Sequence, residues 1–234
     1  MIRSVESGMR DLDKNEVDVM NSEIKGIIFD LDGVIVFTDE LHYEAWKTMA
    51  GEMGVYFDKE INNLLRGVSR MESLEIILRN YHGEPLSKEE KVALAEKKND
   101  IYKKLLEKMQ PSDVEDSVRD TLGNLKERGY RLAIGSSSKN AKYILERVEL
   151  LDAFDAISDG TNITNSKPDP EVFLKGAEFL GLEPSECLVV EDADAGIEAA
   201  LAGGMHSAAI GNATESQKAE YNLVAFEDLL VILE

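Results

Sequence analysis

Short apolar runs that break off into charged or hydroxyl residues recur along this chain, and they set its predicted elements. Strands are expected at Lys25–Asp30, Arg131–Gly135, Phe154–Ser158, Cys187–Val190 and Ser207–Ile210. Between the first two, the spacing of apolar positions changes to that of helices. Asp39 and Glu40 precede Ala45, Trp46 and Met49. Ser69 and Glu72 form a capping-box pattern ahead of Leu74, Ile77 and Leu78, and Ser87 with Glu90 opens a long charged helix through Leu106. A block of helices that separates one strand from the rest implies an inserted helical cap. The remaining strands alternate with helices, so the predicted fold class is α/β, a doubly wound parallel sheet with a Rossmann-like core. The expected organisation is an N-terminal extension over residues 1–22, a core from residues 23–37 and 111–234, and a cap from residues 38–110. Gly33 to Phe37 and Pro111 mark the expected hinges.

The first strand ends in Asp30-Leu31-Asp32-Gly33. Residues two apart on an extended strand project to one side, and two carboxylates held together repel unless a proton or a cation intervenes. Oxygen ligands of this kind suit Mg²⁺, which binds through one or two carboxylates plus substrate phosphate. The bland alternative is a turn at a strand end. Three further segments bear on the choice. Lys167 stands in Ser166-Lys167-Pro168-Asp169-Pro170, a cation in a backbone stiffened by two prolines. Cys187-Leu188-Val189-Val190 terminates in Glu191 and Asp192, a second pair of acids before a helix-forming stretch. Arg131 to Gly135 runs into Ser136, Ser137, Ser138, Lys139 and Asn140, hydroxyls beside a helix start, as an anion site requires. Each segment alone has an ordinary reading as a cap, a surface lysine or a solvated helix start. Together they fall at the carboxyl ends of strands, where open α/β sheets bind ligands. The combination points to Mg²⁺-dependent phosphoryl transfer.

From Lys25 to near the C-terminus the chain resembles the haloacid dehalogenase-like phosphotransferases. The motifs that carry the resemblance are Asp30-Leu31-Asp32-Gly33-Val34, Ser136, Lys167-Pro168 and Glu191-Asp192, in that order. Within the helical block, Thr38, His42, Trp46, Gly67-Val68-Ser69-Arg70, Ser73 and Lys98-Asn99 are similar to the cap pattern of the hexose-phosphate mutases of that family, as is Ser138-Lys139-Asn140. The resemblance implies Asp30 as the nucleophile that becomes an aspartyl phosphate and Asp32 as general acid and base. It implies Ser136 and Lys167 as holders of the transferring phosphate, and Mg²⁺ on Asp30, the backbone carbonyl of Asp32, Asp192 and Glu191. Arg70, Ser138, Lys139 and Asn140 would take a distal phosphate, with His42, Lys98 and Asn99 around the sugar. Thr38, Trp46, Gly67, Ser73 and Ser137 complete the implied substrate-binding set. The implied reaction interconverts β-D-glucose 1-phosphate and glucose 6-phosphate through β-glucose 1,6-bisphosphate. A sugar-phosphate phosphatase of the same fold is the rival reading, and a silent sugar-phosphate sensor a more distant one. Two departures stand out: Phe37 replaces a residue that is commonly Asp, and Ala193-Asp194 replaces a more frequent Ser.

Composition narrows the partners. The formal net charge of −20 over 234 residues disfavours nucleic acid and anionic membranes, and makes any phosphate site a local positive island of Arg70, Lys139, Lys167 and metal. Hydrophobic content of 43% fits a globular chain, expected as a monomer. Cys187 is the single cysteine, so no intrachain disulfide forms, and a reducing cytoplasm is the expected setting. No stretch approaches the ~18 apolar residues of a membrane span. Residues 1–22 lack a secretory apolar region and read as a disordered extension, an expression remnant, or residues upstream of a start at Met20. His42 lies four residues before Trp46, on one helical face, whereas His82 and His206 read as structural or solvent-facing.

Overall fold

The computed structural model describes residues 23–65 and 68–234. The expected N-terminal extension and Gly67 lie outside the described residues. Six parallel strands form one sheet in the order β3-β2-β1-β4-β5-β6, with β1 at Gly26–Phe29, β2 at Arg131–Gly135, β3 at Ala156–Ser158, β4 at Cys187–Glu191, β5 at His206–Ala209 and β6 at Tyr221–Asn222. Ile27, Ile28 and Phe29 are wholly buried on both faces of the sheet, which is why β1 reads as an unbroken apolar run instead of an alternating one. Each such side chain contributes about 1.5–3 kcal/mol when removed from water.

Helices cover both faces. The block inserted after β1 comprises α1 (Asp39–Glu52), α2 (Lys59–Asn63), α3 (Arg70–Leu78) and α4 (Lys88–Leu106). After it come α5 (Asp116–Glu127), α6 (Ala141–Arg147), α7 (Glu171–Leu180), α8 (Asp194–Ala202) and α9 (Leu229–Ile232), which alternate with the later strands. Both expected capping boxes form: Ser69 accepts from the Glu72 amide and Ser87 from the Glu90 amide, and each glutamate accepts in return from the serine amide. The inserted helices bury a cluster of their own around Trp46, Met49, Leu74, Ile77 and Ala95. Along α4 the inward residues are Ala95, Lys98, Tyr102 and Leu106. That three- and four-residue spacing puts a lysine and a tyrosine on the packed face of an otherwise charged helix.

β1 is hydrogen-bonded to β2 on one side and β4 on the other, with Phe29 opposite Ile134 and Val190. The residues following these strands therefore emerge together at one edge. The Asp30 amide still donates to Val190 O at 2.9 Å, and the Ser136 amide to Ser158 O at 3.0 Å. Differences from the expected elements are local. β3 starts two residues later than Phe154, because the Asp155 carboxylate caps the Leu132 amide at 2.8 Å and Phe154 turns onto the Phe29 ring at 6.1 Å. β6 was not expected, since two residues carry no period. His206, wholly inside the sheet, pairs its Nδ1 with Glu220 Oε2 at 2.7 Å, whereas His82 is exposed. Cys187 is buried at the head of β4, its thiol pushed up to about 12 by burial and by the Glu186 charge. Among the described residues, no helix is long and apolar enough to cross a membrane.

Candidate active site

Gly33 shapes the turn that follows the first strand. Its φ of +94° lies in the left-handed region, and a Cβ there would collide with the Asp192 carboxylate. The chain therefore needs glycine at this point to let the β1 and β4 ends close on each other. Gly196 does the same beneath Glu191, whose side chain occupies the space a Cβ would take.

These approaches gather four charged side chains. Lys167 Nζ lies 2.5 Å from Asp30 Oδ1 and 2.5 Å from Glu191 Oε1, all three buried. Burial works to lower Lys167, but Asp30 and Glu191 outweigh it and hold the ammonium above its ordinary range. Burial raises Glu191, against the pull of Lys167 and with a push from Asp30. Asp30, Glu191 and Asp192 offer oxygens that lie within 4.8 Å of one another. An all-oxygen donor set of this span fits a hard divalent cation such as Mg²⁺. Among these four side chains, three are acidic and one is basic, so a cation completes the local balance.

Asp32 is set apart from that cluster. Its carboxyl accepts from the Thr38 hydroxyl, which in turn accepts from Tyr102 Oη at 3.2 Å. Burial and the Asp30 charge raise Asp32 to about 7, against the Thr38 hydrogen bond that lowers it. A carboxyl poised there exchanges protons at neutral pH in either direction. Asp30 and Asp32 thus occupy different environments despite their spacing of two, the arrangement by which paired carboxyls take different roles.

One cavity of about 580 Å³ joins this cluster to the inserted helices. At the sheet end it is lined by Asp30, Asp32, Ser136, Lys167, Glu191 and Asp192. Ser137, Ser138, Lys139 and Asn140 form one wall, with Asn140 Nδ2 donating to Asn99 Oδ1 at 2.9 Å across to α4. The Ser136 and Ser138 hydroxyls accept from the Ser138 and Asn140 amides, so this turn is held by its own side chains. His42, Trp46, Arg70, Ser73, Lys98 and Asn99, from the inserted helices, line the same cavity. Thr38 does not face the cavity; it lies wholly buried behind Asp32.

Lys98 is the unusual member of that set. It is buried, 2.9 Å from His42 Nδ1, with its ammonium over the Trp46 and Tyr102 rings at 4.8 and 4.5 Å. Burial and the Arg70 charge lower it to about 7. His42 is pushed well below its usual range by burial, then by Lys98 and Arg70, so its ring is neutral and accepts from Lys98 at Nδ1. Arg70 is lowered by burial against the nearby Glu96 and Asp100 charges. Lys98 and Arg70, with no ion-pair partner within bonding distance among the described residues, make a pair of cations that suits an anion.

Several residues of the site stand outside the set expected from the sequence. Tyr102 lines the cavity and joins Thr38 to the helical block; its place four residues after Lys98 on α4 was the available signal. Glu96 and Asn62 also line the cavity, and nothing in their local pattern distinguishes them from ordinary helix residues. Of the two departures, Phe37 is 68% exposed, whereas the Ala193 amide touches the charged cluster, donating to Glu191 Oε2 at 2.8 Å.

Comparison with known proteins agrees with this geometry. The family model for haloacid dehalogenase-like hydrolases matches residues 27–210. The β-phosphoglucomutase of Bacillus subtilis is 41% identical over 189 residues, covering 80% of this chain and 84% of that protein. The fructose-1-phosphate phosphatase of Escherichia coli is 32% identical over 187 residues, covering 80% of this chain and 96% of the relative. Among solved structures, that of β-phosphoglucomutase from Clostridium difficile superposes with a TM-score of 0.82 at 37% identity, covering 88% of this chain and 93% of the other. With the parallel sheet, the acidic strand ends and the buried lysine on one side and these likenesses on the other, the chain belongs to the haloacid dehalogenase-like hydrolase family.

Proposed function

We propose that this enzyme interconverts β-D-glucose 1-phosphate and glucose 6-phosphate through a phosphorylated Asp30 and β-glucose 1,6-bisphosphate. The observation that carries the reading is the shared cavity, lined both by an acidic, lysine-bearing cluster at Asp30 and by the basic Arg70 and Lys98 of the inserted helices. A bisphosphate needs both ends at once. In this scheme an Asp30 carboxylate oxygen attacks phosphorus and the bond from phosphorus to the sugar oxygen breaks. Asp32 gives its proton to that oxygen, then removes a proton from the hydroxyl that attacks in the return step. Lys167 and Ser136 hold the equatorial oxygens, where charge gathers in a loose transition state. Asp30, Asp192, Glu191 and the Asp32 carbonyl would hold Mg²⁺, which supplies further neutralisation of that charge. Residues 38–110 act as a cap over a core of residues 23–37 and 111–234, and closure on Gly33–Phe37 and Pro111 excludes water. Arg70 takes the distal phosphate as a bidentate fork, with Ser138, Lys139 and Asn140 beside it.

The test is a product assay. β-D-glucose 1-phosphate with a trace of bisphosphate and Mg²⁺ is expected to give glucose 6-phosphate, read by a coupled dehydrogenase. Inorganic phosphate as the main product would reject the mutase in favour of the second reading, a sugar-phosphate phosphatase. That alternative rests on the likeness to the Escherichia coli phosphatase.

Lys98 gives this reading a pH signature. A phosphate dianion placed near it favours the charged form, so ligand binding at pH 8 is expected to draw a proton from solvent. Because the unliganded group sits near 7, affinity falls as pH rises above 7, by up to about tenfold per unit. Calorimetry in buffers of different ionisation enthalpy measures the uptake, and Lys98→Met should abolish it. Equal apparent enthalpies in all buffers for the wild type would contradict the assignment.

A further inference from the structure

The hydrogen-bond chain behind Asp32 runs from Tyr102 through Thr38 to the carboxyl. Tyr102 is wholly buried on α4, its ring packed against both the His42 ring at 4.1 Å and the Lys98 ammonium at 4.5 Å. Its Oη lies 3.2 Å from Thr38 Oγ1, and Thr38, also wholly buried, donates to Asp32 Oδ1. A threonine hydroxyl has a single proton. With the tyrosine donating to Thr38, that proton goes to Asp32 Oδ1, and the carboxyl of Asp32 is left to carry its own proton on Oδ2. The link also crosses the fold, from an inserted helix through the segment after Gly33 to the acid at the end of β1.

We propose that Tyr102 is a positioning residue for Asp32, acting through Thr38, and that it fixes which carboxyl oxygen delivers the proton to the sugar oxygen. The proposal rests on the reading of Asp32 as general acid and base. In the transfer it serves, Asp30 forms its bond to phosphorus, the sugar oxygen leaves with its electron pair and takes the Oδ2 proton, and Asp32 remains as a carboxylate still accepting from Thr38. Removing the tyrosine hydroxyl frees Thr38 to turn away and lets the carboxyl rotate. The loss then falls on steps in which a sugar hydroxyl needs a proton. It does not fall on binding, nor on a transfer whose leaving group needs none.

Tyr102→Phe in the Mg²⁺-loaded full chain tests this. Turnover of β-D-glucose 1-phosphate, read as glucose 6-phosphate or as phosphate, is expected to fall about tenfold in kcat, the scale of one buried hydrogen bond, with KM changed less than twofold. Phosphorylation of Asp30 by acetyl phosphate, whose carboxylate leaves without a proton, should stay within twofold of wild type. Thr38→Val should reproduce the loss, the double variant should lose no more than either single one, and Thr38→Ser should restore normal turnover. An unchanged kcat in Tyr102→Phe, an equal loss with acetyl phosphate, or additive losses in the double variant would overturn the proposal. A wild-type enzyme that turns over no sugar phosphate at all strikes the functional reading instead, and is seen before any variant is made.

Discussion

Asp30→Asn is expected to lower turnover of β-D-glucose 1-phosphate by about 10⁴-fold or more, the scale seen when a nucleophile is removed from a group of residues that act as a unit. The amide keeps the size of the carboxylate and cannot form the phosphorylated intermediate. In intact-protein mass spectra, the wild type given acetyl phosphate and Mg²⁺ should gain one phosphoryl group, and the variant none. Asp30 is buried against Lys167, so the change also removes one of the two carboxylates that hold the ammonium. The variant should nevertheless bind sugar phosphates through Arg70 and Lys98, which line the same cavity and are untouched. Phosphorylation of the variant, or wild-type turnover, would remove Asp30 from the role given to it.

Lys167→Met carries the second large effect, and it falls on stability as well as rate. Taking the cation from between Asp30 and Glu191 leaves two buried carboxylates facing each other, which by comparison with other broken buried pairs costs about 3–5 kcal/mol. Urea unfolding of the metal-free proteins at pH 7.5 measures the difference. The sign of its pH dependence follows from the same contact. Without the ammonium, the carboxyls of the folded variant are raised above their unfolded values by burial and mutual repulsion, so they destabilise at high pH and cease to do so once protonated. The gap between variant and wild type should therefore narrow as the medium becomes acidic. A gap that widens on acidification would mean that the lysine does not hold this pair. Loss of a positive charge at the transferring group should also lower kcat/KM by about 10²–10³-fold.

Much of this architecture was legible because burial and chemistry wrote different signals into the same segments. Ile27-Ile28-Phe29 and Leu188-Val189-Val190 read as inner strands since both faces are covered. The acids that follow break the pattern where packing ends and ligation begins. The capping boxes at Ser69 and Ser87 were readable for a local reason: their hydrogen bonds close within three residues. What escaped depends on distance along the chain. Tyr102 meets Thr38 across a separation of 64 residues, and no local pattern announces that a tyrosine on a charged helix will end behind an aspartate. Thr38 was expected among residues touching substrate, yet its contact is with the acid itself. β6 was invisible because a two-residue pairing needs only backbone groups.

Cys187 offers a use that follows from where it lies. The lone thiol sits at the head of an inner strand, opposite Gly26 of β1, and its Sγ faces Glu183 O at 3.6 Å. Covered and held un-ionised, it is out of reach of alkylating reagents while β1 and β4 stay paired. The rate of its labelling then clocks how often the middle of the sheet parts, and the protein carries its own gauge of native-state opening with no engineered probe.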